Sequence, residues 1–79
     1  MSARDKVASC LAEIVGSEIA QPMADRHIKK YLMEKGKTEL ADNDLSSADF
    51  GNWLSSRLQH LSMFNPQAIE ALSSKLKEP

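Results

Sequence analysis

The most reactive side chains in this sequence are one thiol, Cys10, and two imidazoles, His27 and His60. A nucleophilic or redox-active thiolate needs cationic neighbours and access to solvent. Cys10 instead lies between Val7 and Leu11 on the apolar face of a helical pattern, where a cysteine behaves as a small buried hydrophobe. Neither histidine has a local partner at metal-ligand spacing, and structural zinc sites usually take four Cys and His ligands where this chain has three. A single cysteine also excludes an internal disulfide. No catalytic residue, metal site or cofactor is expected, and the chain reads as a protein that is not an enzyme.

Two acidic look-alikes fail at named positions. Asp42, Asp44 and Ser46 occupy the first, third and fifth places of a calcium loop. The sixth place needs glycine and has Ser47, and the twelfth needs a bidentate glutamate and has Trp53. The pair Asp44-Leu45 also opens like the attachment site of acyl carrier proteins, but Asp49 stands where the modified serine belongs. The segment therefore reads as helix-capping chemistry.

Charge is distributed unevenly. Residues 26–37 hold five basic side chains, Arg26, Lys29, Lys30, Lys35 and Lys37, against Glu34 alone. Residues 39–49 hold four acids, Glu39, Asp42, Asp44 and Asp49, and no base. Arg26, Lys30 and Lys37 are expected on one face of the second helix, with Met33 between them. Together with Lys29 they form a charged face suited to phosphates or to an acidic partner. The third helix should present a different face, in which Gly51, Ser55, Gln59 and Ser62 are uncharged and mostly small. Such a face lets another helix approach closely, with Trp53 at its margin as an anchor.

These faces require helices, and the pattern supplies four. Ser2 is placed to cap the first, with Asp5 as its capping-box partner. Val7, Cys10, Leu11, Ile14 and Val15 then recur at helical spacing; Gly16-Ser17 weakens the helix, which stops there or runs on to Ile19. Pro22 fits the first turn of the second helix. Ala24, Ile28, Tyr31 and Leu32 form its apolar face, and Gly36 ends it. Asp44, Ser46 or Ser47 should cap the third helix, whose stripe is Phe50, Trp53, Leu54, Leu58 and Leu61. Asn65-Pro66 opens the fourth, with Phe64 and Ile69 set for a hydrophobic staple and Ile69, Leu72 and Leu76 buried. The fold class is all-α: a small compact bundle of about four short helices, packed at orthogonal or irregular angles.

Seventy-nine residues make a single domain, 1–79, whose stability margin is thin. Self-association as a homodimer is one way to widen it. The net charge of −1 argues against general affinity for nucleic acid or anionic membrane. No apolar run reaches the length of a membrane span, and the amphipathic start differs from a signal core. The expected setting is the cytoplasm.

One family resemblance runs along residues 34–45, Glu-Lys-Gly-Lys-Thr-Glu-Leu-Ala-Asp-Asn-Asp-Leu, and continues through Arg57-Leu58, Leu61 and Met63. This part resembles the Hha-type, haemolysin-expression-modulating proteins. Membership would imply a small helical bacterial protein that binds a nucleoid-structuring protein and modulates gene silencing. The resemblance covers about a quarter of the chain and needs a two-residue insertion. Ser55 and Ser56 replace an Asp-His pair of the family, and its aromatic C-terminal segment is replaced by Ile69, Leu72 and Leu76. No functional residue is carried over from it.

The function expected from the residues is a non-enzymatic protein–protein interaction, regulatory or adaptor module that binds another protein or itself. The alternative is a transcriptional or nucleoid regulator acting through DNA or a DNA-bound partner. Only Arg57, Lys75 and Lys77 are basic beyond Asp44, few for a recognition helix.

Overall fold

In a computed structural model the chain forms helices α1 (Ala3–Val15), α2 (Ser17–Lys35), α3 (Asp42–Ser46), α4 (Asp49–Leu58) and α5 (Pro66–Lys77). The structure describes residues 2–78. No strand occurs among them. Four of the five helices correspond to those read from the sequence, and the additional one, α3, is a short turn between the second and third of them.

Helix α1 begins where the Ser2 hydroxyl accepts the Asp5 N–H at 3.1 Å. It ends at Gly16, whose backbone (φ 88°, ψ 154°) lies in a region open to glycine alone. Helix α2 starts at the next residue, so one glycine turns the chain between the two longest helices. Arg4 and Asp25, on opposite sides of that turn, pair at 2.8 Å and mark the two helices as an antiparallel hairpin. A methyl group at Gly16 would meet no atom within 4 Å. Gly16→Ala is nevertheless expected to destabilise the fold by about 1–3 kcal/mol, through backbone strain alone. Urea titration followed by far-UV circular dichroism checks this.

Because Gly16 sets the start, Pro22 falls inside α2 rather than in its first turn. The missing N–H would have paired with the Glu18 carbonyl. Both residues are exposed, on the side of α2 that faces solvent, where an interior proline is tolerated best. Gly36 ends the helix in the left-handed region (φ 68°), as a C-terminal glycine should.

The next corner departs further from expectation. The N-cap position of α4 is held by Ala48, at φ 69°, and not by Asp44, Ser46 or Ser47, although the Ser47 hydroxyl accepts the Asp49 N–H at 3.4 Å. A left-handed alanine costs about 1–2 kcal/mol, which the packing around it must outweigh. Leu45, on α3, and Phe50, at the start of α4, are both buried on either side of this corner. Helix α4 also stops at Leu58, so Leu61 leaves the buried stripe and is exposed. The fourth expected helix holds. The Asn65 side chain accepts the Ala68 N–H at 2.7 Å, Phe64 is buried and Ile69 packs against the core.

One core unites these elements. Val7 and Leu11 of α1, Tyr31 of α2, Phe50, Leu54 and Leu58 of α4, and Leu72 and Leu76 of α5 are its fully buried large side chains. The radius of gyration is 11.3 Å, against about 11.6 Å expected of a single domain this long.

Candidate interaction surfaces

Two internal arrangements decide which charges remain for a partner. The first centres on Asp44, the buried charged residue among those described, at 3% exposure. Its Oδ2 accepts the Ala41 N–H at 2.9 Å, reaching back to the first residue of the α3 cap. Its Oδ1 accepts the Tyr31 hydroxyl at 3.2 Å and also the Lys37 ammonium. Lys37, with its amine 5.9 Å from the Tyr31 ring centroid, is thus committed to a partner within the chain while staying partly exposed. The Lys37 hydrogen bond, aided by the Ala41 N–H, holds the Asp44 carboxyl below the usual carboxylate range. Lys37 therefore does not share the basic face with Arg26 and Lys30. It lies beyond the last residue of α2, past a left-handed glycine that breaks the helical phase.

The second arrangement joins α2 to α4 through aromatic rings. Trp53 stacks on Phe50 with centroids 5.8 Å apart and meets Tyr31 edge-on at 5.3 Å. The Arg57 guanidinium lies 5.0 Å from the Trp53 ring centroid. Glu34 accepts the indole N–H of Trp53 at 3.3 Å and pairs with Arg57 at 3.8 Å. Trp53 is therefore half-buried in an internal cluster rather than free at a margin. His27 packs edge-on to it at 6.3 Å, with its Nδ1 buried and without a hydrogen-bond partner. Burial, with Arg57, Arg26 and Lys30 nearby, pushes the imidazole below its ordinary 6.5. The fold favours the neutral ring. The resulting stability is complete above pH 6.5 and is lost as pH falls through the lower folded value. An NMR titration of the His27 ring should give a midpoint below 6.5 in the folded protein.

What remains outside is the basic face of α2. Arg26, Lys29, Lys30 and Met33 are all exposed and line one shallow groove with Glu34. Among the described residues, none of the three cations has an acid within 4 Å, and Glu34 is already held by Arg57 and Trp53. Met33 is 74% exposed, the most exposed large hydrophobic residue described.

The uncharged face of α4 is divided. Gly51 is buried, with an added Cβ 4.0 Å from Leu76 of α5. The Ser55 hydroxyl is hydrogen-bonded to that of Ser73, also on α5. Helix α5 thus covers the face at these two positions. Gln59 and Ser62 are exposed, and Ser62 lies beyond the helix end. Ser55 and Gln59 also border a cleft floored by Phe64, Pro66 and Ile69. At Gly51 the 4.0 Å spacing is ordinary contact, so the fold needs no glycine there. Gly51→Ala is expected to raise stability by about 0.5–1 kcal/mol, through helix propensity. Thermal unfolding checks this.

Cys10 is buried, as its apolar neighbours imply, and burial pushes its thiol pKa up. Among the described residues, no helix is long and apolar enough to cross a membrane. Compared with known protein families, characterised proteins and solved structures, the chain matches none.

Proposed function

We propose that this domain is a non-enzymatic interaction module of the regulatory or adaptor kind, and that it docks a partner on the outer face of α2. One observation carries the reading: Arg26, Lys29 and Lys30 line one groove with an exposed Met33 and, among the described residues, have no acid within 4 Å. Lone exposed hydrophobic residues are common on protein surfaces. An apolar contact beside uncompensated charge of one sign has the makeup of a docking site, because it supplies both steering and an anchor. The setting we propose is the cytoplasm, where a free thiol such as Cys10 stays reduced.

The same cations favour a second reading, contact with nucleic acid by way of phosphates. Met33 favours protein, since a phosphate backbone offers it nothing. A comparative capture assay separates the two. The wild-type chain and a Lys29→Glu/Lys30→Glu double variant are immobilised and exposed to native extract with and without nuclease. The expected result is nuclease-resistant protein capture that the double variant loses. Capture that nuclease abolishes would favour the second reading, and capture equal in both chains would exclude this face.

A further inference from the structure

Resting on that reading, we infer that the outer stripe of α2 receives an acidic amphipathic helix belonging to a different chain. The stripe is longer than the basic cluster. Ile19, Pro22, Arg26, Lys29 and Met33 are all exposed, and their spacing alternates between three and four residues. That is the spacing at which one helix presents a seam to another. The buried positions of α2, Ala20, Ala24, Ile28 and Tyr31, lie on the opposite side. Helix α2 is 19 residues long, or about 28 Å, which matches the longest dimension of the molecule, 29 Å. A partner helix could therefore lie along the whole domain.

The chemistry of the stripe selects its occupant. Its ends are apolar, with Ile19 50% and Met33 74% exposed, about 21 Å apart along the helix. Its centre is cationic, and Lys30 joins Arg26 and Lys29 there. The nearby acids do not neutralise that centre. Asp25 is paired with Arg4 and Glu34 with Arg57, while Glu18 lies about 12 Å before Arg26. A second copy docked through the same stripe, parallel or antiparallel, would set these cations against themselves, and like charges across an interface are costly. Nucleic acid would use the cations and leave both apolar ends facing phosphate or water. The complement of the stripe is a helix with carboxylates at its centre and one aliphatic residue toward each end.

The full chain, isotopically labelled, tests this against a synthetic helical peptide with three central glutamates on one face and a leucine at each end. A peptide with lysines for glutamates and a short DNA duplex serve as comparisons. Amide shifts are expected to trace Ile19, Arg26, Lys29, Lys30 and Met33. Affinity should fall as salt rises, and should drop roughly tenfold or more in Lys30→Glu. Met33→Ser should weaken binding without changing its salt dependence. The inference is overturned by equal binding of the lysine peptide, by shifts confined to the cleft beside Gln59, or by tighter binding of DNA. Concentration-dependent shifts of the stripe in the free chain would overturn it too, in favour of self-association. Should the peptide fail while Lys29→Glu/Lys30→Glu still abolishes nuclease-resistant capture, the docking face stands and only the acidic helix is wrong.

Discussion

Asp44→Ala is expected to remove about 2–4 kcal/mol of folding stability, a large share for a domain this small. Stability scales at roughly 0.05–0.15 kcal/mol per residue, or about 4–12 kcal/mol for this length. The substitution strands the hydroxyl of Tyr31, whose side chain is 1% exposed. An unpaired buried polar group costs about 1–3 kcal/mol. It also removes the acceptor for the Ala41 N–H at the start of α3, and lost caps cost about 1 kcal/mol. Lys37 stays partly exposed and rejoins solvent, so its release adds little. Asp44→Asn keeps an acceptor for Tyr31 and should fall between wild type and alanine. Acid should act at the same place. The folded carboxyl titrates below its ordinary 3.8, so its contribution is complete above pH 3.8 and disappears as pH falls through the folded value. Asp44→Asn should remove that part of the acid sensitivity. Urea midpoints measured across pH, for wild type and both variants, check the order and the window.

Phe50→Ala is expected to cost about 3–5 kcal/mol and to bring the domain close to unfolding at ambient temperature. The ring is fully buried. It meets Tyr31 edge-on at 5.0 Å and stacks on Trp53. Its loss opens a cavity where α2 and α4 join, at the left-handed Ala48 corner whose strain the packing must outweigh. Trp53 is the sole tryptophan, so its emission reports this site directly. A red-shifted spectrum with a lowered unfolding midpoint is expected; an unchanged spectrum and midpoint would mean that the aromatic cluster does not hold these helices together.

The helices were legible because their signals are local. Ser2 and Asn65-Pro66 start helices, Gly36 ends one, and the apolar spacing of Phe50, Leu54 and Leu58 gives a buried face without knowledge of its partner. The departures arise where a distant contact or a broken phase decides. A helical wheel carries Lys37 onto the face of Arg26 and Lys30, but Gly36 interrupts the wheel and Lys37 turns to Asp44. The burial of Asp44 depends on Tyr31, 13 residues away, and nothing in the acidic run announces it. Pro22 reads as a helix start because, in sequence, Gly16 marks only a weak point in a helix, and its role as the turn depends on the backbone it adopts. The small face of α4 shows that a helix can approach closely, but not which one. At Gly51 and Ser55 that helix is the chain's own α5. Arg26, Lys29 and Lys30 were visible in the sequence as charge. That they are unpaired, that Met33 is bare, and that Glu34 is spent on Trp53 and Arg57 follows only from the packing.

The central claim is that the outer face of α2 is a protein-docking surface. Site-specific photo-crosslinking in the cell of origin tests it most directly. A photoreactive amino acid is placed at Met33, and at Gln67 as an exposed control on α5. The account predicts protein adducts from position 33, resistant to nuclease and absent from position 67. Adducts that nuclease removes, equal adducts from both positions, or none from position 33 would contradict it.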